Sequence, residues 1–155
     1  MNPDLECRSC GHASLHSFLD LGTTPLSDGL RREDQLDTPD PSYPLEVAFC
    51  SECTMVQITE TLPEDVLFPD DYPYFSSFSD ALLAHSRTHA EGLIRARDLG
   101  PDSLVVELAS NDGYLLRNFV EHGIPVMGID PAPNQVAAAN EAGVRSRCAF
   151  FGLEN

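Results

Sequence analysis

From Ser79 onward, Leu82, Leu83, Ser86, Ala90, Leu93, Ile94 and Arg97 fall at spacings of three and four, which predicts a helix with one apolar face. Asp80 in its first turn and Arg95 and Arg97 in its last suit the helix dipole, and Gly100-Pro101 supplies the stop. The period then changes. Residues 103–109 read as a buried strand, 114–122 as a helix stopped by Gly123, and 126–129 as a second strand. A second helix over 134–142 is stopped by Gly143, and 144–147 begins a third strand. Strands alternating with helices imply parallel pairing through crossovers, an α/β arrangement.

The front of the chain has no long helical period. Residues 1–60 read as short strands and turns, with Gly11, Gly22, Pro25 and Gly29 as punctuation and Phe18, Leu19 and Leu21 as apolar contacts. Residues 30–44, polar and rich in proline, read as an inserted loop, followed by strands over 43–49 and 55–59. Pro63, Pro69 and Pro73 deny regular structure to 60–78, apart from a short turn near 64–67. Three segments result: 1–60 as a small module, 61–100 as connector and helix, and 101–155 as part of a second domain.

Composition narrows the function. With 42% hydrophobic residues the chain can bury a core, and its net charge of −16 is uneven. Residues 1–80 hold 16 acidic and 3 basic side chains, so the front is at −13. Nucleic acid is bound by neutralising phosphates with Lys and Arg; nine Arg, no Lys and this charge argue against a nucleic-acid partner. The opening residues lack a basic or apolar leader and no window reaches the roughly 20 apolar residues of a membrane span, so a cytoplasmic location without membrane contact is expected.

In a reducing compartment, paired Cys-x-x-Cys units hold metal rather than disulfides. Cys7 with Cys10 and Cys50 with Cys53 offer four thiolates for a closed tetrahedral zinc site. His12 and His16 are substitute ligands, a redox dithiol is the rival reading, and Cys148 is expected to pack as a small apolar residue. The second constellation is Glu107-Leu-Ala-Ser-Asn-Asp-Gly113, a strand running into a turn of small residues. It lacks the repeated glycines of a dinucleotide site, while Asp130 at the next strand end could accept from ribose hydroxyls. Two acids at successive strand ends suit an adenosine without phosphates, as in S-adenosylmethionine; a plain polar turn with a helix cap is the alternative. Tyr72-Pro-Tyr-Phe-Ser-Ser77 reads by itself as a capped turn with an aromatic anchor, and His85 and His89 as surface histidines.

Together these residues resemble the S-adenosylmethionine-dependent sugar C-methyltransferases that modify nucleotide-linked deoxysugars in antibiotic biosynthesis. Cys7-Arg-Ser-Cys-Gly11, Phe18-Leu-Asp-Leu-Gly22, Pro25-Leu26, Cys50-Ser-Glu-Cys53 and Val56-Gln57 are similar to the family's amino-terminal zinc module. Val106 to Leu116 and Gly128-Ile-Asp-Pro-Ala132 are similar to its cofactor and ribose motifs. The resemblance implies a Rossmann-like cofactor domain, begun but not completed here. It places Glu107, Ala109, Asn111, Gly113, Tyr114, Asp130 and Pro131 on S-adenosylmethionine, and Tyr72, Tyr74, Ser76 and Ser77 beside a nucleotide-linked deoxysugar. The family's catalytic His and Glu are expected beyond residue 155, so the isolated chain is expected to be inactive. Oligomeric state is left open, and a non-catalytic zinc-ribbon interaction module is the alternative function.

Overall fold

The computed structural model describes residues 5–69 and 71–152. Residues 1–4, the start of the segment read above for a leader, and 153–155, the end of the expected second domain, lie outside them, as does Asp70 of the connector. The chain divides into two compact units, Met1–Leu67 and Phe68–Asn155.

The first unit is a three-stranded antiparallel sheet in the order β1 (Leu15–Pro25), β2 (Ser42–Cys50), β3 (Val56–Ile58), followed by the single turn α1 (Glu64–Leu67). Strand β1 runs 11 residues, longer than the expected short strands, and bends at irregularities between Ser17 and Leu19 and between Asp20 and Thr23. Its register pairs Leu15 with Cys50. The loop ahead of β2 contains a 3-10 turn, Glu33–Gln35, and is closed by Arg31, which pairs with Asp40 and donates to the Pro39 carbonyl. The buried apolar residues are Cys7, Leu15, Ala48 and Cys50, with Leu5 and Cys53 packed on them. Phe18, Leu19 and Leu21, expected as apolar contacts, are exposed instead. A single sheet of three strands has too little chain around it to cover both faces.

The second unit begins with the Tyr72–Ser77 segment, a 3-10 turn (Ser76–Phe78) and helix α2 (Asp80–Arg97). Ser79 Oγ accepts from the Leu82 amide at 3.2 Å and caps α2. The helix ends earlier than Gly100 predicts. Asp98 adopts a left-handed conformation (φ 52°) and its amide and that of Leu99 both return to the Ile94 carbonyl, a conformation that Asp tolerates better than most residues.

Strands β4 (Val105–Leu108), β5 (Val126–Asp130) and β6 (Ser146–Cys148) form a parallel sheet in that order, with Val105 opposite Val126 and Gly128 opposite Ser146. Helix α3 (Arg117–Glu121) follows β4 and helix α4 (Pro133–Glu141) follows β5. The alternation read from the sequence is present. Helix α3 is shorter than expected because the Asn118 side chain donates to the Tyr114 and Leu115 carbonyls, at 3.3 and 2.9 Å, and keeps that turn irregular. Ala90, Leu116, Phe119, Ile124, Val126, Ala139 and Val144 form the core.

Two expectations fail here. Strand β4 is not buried: Val106 and Leu108 are half exposed, since β4 is an edge of the described sheet and only its Val105 face packs on the core. Cys148, on the opposite edge strand, is exposed rather than packed, its thiol donating to the Pro131 carbonyl at 3.4 Å.

Candidate metal centre and cofactor loop

The Cys7 and Cys50 pairs are built alike. The amide of Gly11 returns to the Cys7 carbonyl (2.8 Å) and that of Thr54 to the Cys50 carbonyl (2.9 Å), while Cys7 and Cys50 each donate to the carbonyl five residues on, His12 and Met55. Both knuckles close on a left-handed residue, Gly11 at φ 73° and Thr54 at φ 65°. Because Leu15 is registered against Cys50, the antiparallel ladder lays one knuckle beside the other across the long sequence gap.

The four sulfurs lie within 4.8 Å of one another, Cys7 to Cys53 at 3.5 Å and Cys10 to Cys50 at 3.7 Å. A zinc ion with sulfurs at about 2.3 Å sets tetrahedral edges of about 3.8 Å, so this cage fits the ion. His12 and His16 are not in the cluster. The Cys10 amide, with help from Ser9, draws the Cys7 thiol down to about 6 against desolvation. The His12 amide favours the Cys10 thiolate, yet desolvation and the neighbouring thiols outweigh it and push Cys10 up to about 12. Four thiols so close cannot all ionise without a cation among them. Around the cage, Gln57 is buried, accepting from the Arg8 amide (2.9 Å) and donating to the Glu6 carbonyl (3.3 Å), and the Arg8 guanidinium holds Glu60 and Thr61.

Thr54 is a β-branched residue where its counterpart is glycine, and a left-handed conformation costs a residue with a Cβ about 1 kcal/mol. Thr54→Gly is therefore expected to stabilise the zinc-loaded unit by about that much. Thermal unfolding checks this; an unchanged or lower melting temperature refutes it.

In the second unit, the turn after β4 alternates in an informative way. Ala109 (φ 58°), Asn111 (φ 48°) and Gly113 (φ 76°) all sit in the left-handed region, so the loop takes a shape usual for glycine at every second position with only one glycine present. Asp130, buried at the end of β5, binds this loop: Oδ2 accepts from the Asn111 amide at 2.8 Å and Oδ1 from the Ala132 amide at 2.9 Å. Gly128 admits the loop to the sheet, since a Cβ there would lie 2.5 Å from both Ser110 Oγ and Ser146 Oγ. Glu107 projects from β4 with Oε2 buried and unpartnered, and Tyr114 is half-buried. Tyr114 is pushed above its ordinary range by desolvation and then by Glu107, Tyr74 and Asp112, so these groups share one electrostatic neighbourhood.

Burial, reinforced by the charge of Asp130, raises Glu107 from an ordinary 4.5 to about 7. The folded form thus binds a proton that the unfolded chain releases at lower pH. This contribution to stability is full below 4.5 and is lost as pH rises through about 7. Urea midpoints of the second unit are expected to fall between pH 5 and roughly 8, and Glu107→Gln to flatten that fall; an equally steep fall in the variant refutes the assignment.

The Tyr72–Ser77 segment meets the same loop. Ser76 N–H donates to Asn111 Oδ1 (2.9 Å) and Ser77 N–H to Asp112 Oδ2 (3.2 Å). The structure so brings Tyr74, Ser76 and Ser77 to Asn111 and Asp112, while Tyr72 is tied to α4 through its carbonyl. Pro131 lies between Asp130 and the start of α4. Ser110 and Asp112 belong to the motif read from the sequence without a role of their own, and Asn134 and Gln135 lie outside it; the signal available for the latter pair was two neighbouring amides just after an acidic strand end. His85 and His89 are exposed on α2 with stacked rings, as surface histidines would be. No helix among the described residues is long and apolar enough to cross a membrane.

The first unit is thus a small antiparallel sheet that carries a four-cysteine cage, and the second a mixed α/β unit. Residues 7–68 match the family model described as "Putative zinc binding domain". Zinc binding is thus supported by the match and by the four close cysteines. The chain is also 32% identical, over 154 residues, to "C-methyltransferase NovU" of Streptomyces niveus, with 99% of this chain covered. It spans 36% of that relative's length. These findings bear out the resemblance to the amino-terminal part of a C-methyltransferase.

Proposed function

We propose that the chain is the amino-terminal portion of an S-adenosylmethionine-dependent C-methyltransferase that acts on a nucleotide-linked keto-deoxysugar. In this reading the parallel sheet and its helices are the first βαβ units of a Rossmann-like cofactor domain, residues 61–100 connect it to the zinc module, and the zinc is structural.

One observation carries the proposal. Among the described residues six buried side-chain polar atoms lack a hydrogen-bond partner, and five belong to β4, the loop after it and the start of α4: Glu107 Oε2, Ser110 Oγ, Asp112 Oδ1, Asn134 Oδ1 and Gln135 Oε1. Buried polar atoms are rarely left unpaired, and such a concentration marks a site short of a ligand. All five accept hydrogen bonds and two are acidic, so the matching ligand is rich in donors and cationic. S-Adenosylmethionine offers ribose hydroxyls, two amino groups and a sulfonium. The acid at the end of β5, the left-handed loop and the likeness to a C-methyltransferase agree with it.

The chemistry would use the sugar's keto group to acidify the neighbouring carbon. With S-adenosylmethionine held by Glu107 and Asp130, a base would take that proton and the sulfonium would supply the methyl, the new carbon-carbon bond forming as the S–CH3 bond breaks and S-adenosylhomocysteine leaves. Tyr72 or Tyr74 would orient the sugar. Calorimetric titration of S-adenosylmethionine into the chain is expected to show one site, weakened at least tenfold in Glu107→Gln and in Asp130→Asn. Absence of binding, or full affinity in both variants, refutes the reading.

A further inference from the structure

The tyrosine segment is held from two sides by side chains of the second unit. Among the described residues its main-chain contacts include Tyr72 N–H to the Pro69 carbonyl, Phe78 N–H to Phe75 and Ser79 N–H to Ser76. Side chains from α4 and from the loop after β4 reach its main chain. Gln135, fully buried in the first turn of α4, donates through Nε2 to the carbonyls of Tyr72 (2.8 Å) and Tyr74 (3.0 Å). Asn134 donates a further bond to Tyr72 (2.8 Å). From the loop after β4, Asn111 donates to the Tyr74 carbonyl (3.2 Å), and Asn111 and Asp112 accept from Ser76 and Ser77.

The two anchors are themselves joined. Asp130 holds the loop through the Asn111 amide and the start of α4 through the Ala132 amide. Whatever binds at Asp130 and Glu107 therefore acts on both anchors of the segment at once. Among the described residues Gln135 grips both tyrosine carbonyls, whereas Asn134 reaches that of Tyr72 and Asn111 that of Tyr74, and the remaining acceptor of Gln135, Oε1, is buried and unpartnered. Holding these carbonyls fixes the main chain that carries both phenols, that of Tyr74 being 46% exposed and open to a substrate.

We propose that Gln135 is a positioning residue through which occupancy of the cofactor loop sets the Tyr72–Ser77 segment for the substrate. The inference rests on the cofactor reading above, and the segment's placement by Gln135 can be tested apart from it. Coupling of this kind is reciprocal: if the ligand orders the segment, loss of the segment's anchor weakens the ligand.

The test is amide hydrogen exchange in the whole chain, with and without S-adenosylmethionine, comparing the parent with Gln135→Met, which keeps the volume, and Gln135→Glu, which keeps an acceptor but loses the donor. In both variants the Ser76 and Ser77 amides are expected to exchange at least tenfold faster while α2 amides are unchanged. S-Adenosylmethionine is expected to slow those two amides in the parent and not in the variants. Unchanged exchange at Ser76 and Ser77, or general loss of protection in α2 in both variants, overturns the proposal, the latter because it makes Gln135 a core residue only. Ligand protection that persists fully in the variants overturns the coupling. If the parent binds no S-adenosylmethionine, the cofactor reading and the coupling to it fail, while exchange without ligand still decides whether Gln135 places the segment.

Discussion

Cys50→Ala is expected to leave the amino-terminal unit with neither zinc nor sheet, while α2 and the parallel sheet of the second unit persist. The apolar interior of the first unit explains the size of the effect. Its buried apolar residues are Cys7, Leu15, Ala48 and Cys50, so half of that core is metal ligand. Burial of a large aliphatic side chain contributes about 1.5–3 kcal/mol, against about 1–2 kcal/mol of backbone entropy for each residue ordered. Leu15 and Leu5 cannot offset that cost for the unit. Structural zinc in small modules supplies about 10–16 kcal/mol, which makes metal binding and folding one event. Cys50 is fully buried at the point where β2 enters its knuckle, so its loss opens the cage and leaves a void beside Leu15. Elemental analysis should give about one zinc per chain in the parent and none in the variant, and nuclear magnetic resonance should lose the dispersed amides of 15–58. A folded, metal-free variant would falsify this account, and a chelator should reproduce the effect in the parent.

Gly113→Ala is expected to destabilise the second unit by about 3 kcal/mol, from two additive causes. At φ 76° a Cβ costs about 1–2 kcal/mol. That Cβ would also lie 2.9 Å from Val144 Cβ and 3.0 Å from each of its Cγ atoms, and Val144 is fully buried in the core and cannot yield; such overpacking costs about 1–3 kcal/mol. Gly123→Ala separates the causes. Gly123 has a similar φ of 71° but nothing within 4 Å of an added Cβ, so only the conformational part should appear, about 1 kcal/mol. Urea unfolding of both variants checks the difference; equal losses would remove the packing argument.

The cysteine pairs, the helix after Ser79 and the strand-helix alternation were legible because each rests on local spacing: thiols two residues apart, apolar positions three and four apart, glycine after each short helix. Misreadings arose where burial depends on what else covers a face. Phe18, Leu19, Val106 and Leu108 are apolar and exposed because a small sheet packs only one side. The loop after β4 has a shape that its composition does not announce. With a single glycine, at Gly113, it also holds Ala109 and Asn111 in the left-handed conformation that glycine favours, in part because Asp130 accepts from the Asn111 amide.

Sequence alone determined the chemistry this protein carries: four cysteines in two pairs, an acidic front, and two acids at successive strand ends. Those are properties of residue type and short spacing, which survive in any fold. Only the tertiary structure decided how they meet. The Leu15–Cys50 register closes the thiol cage, Asp130 proves to be engaged by two main-chain amides, and Gln135 reaches Tyr72 and Tyr74 across more than 60 residues. Contacts at that separation depend on sheet pairing and core packing, which no local pattern encodes.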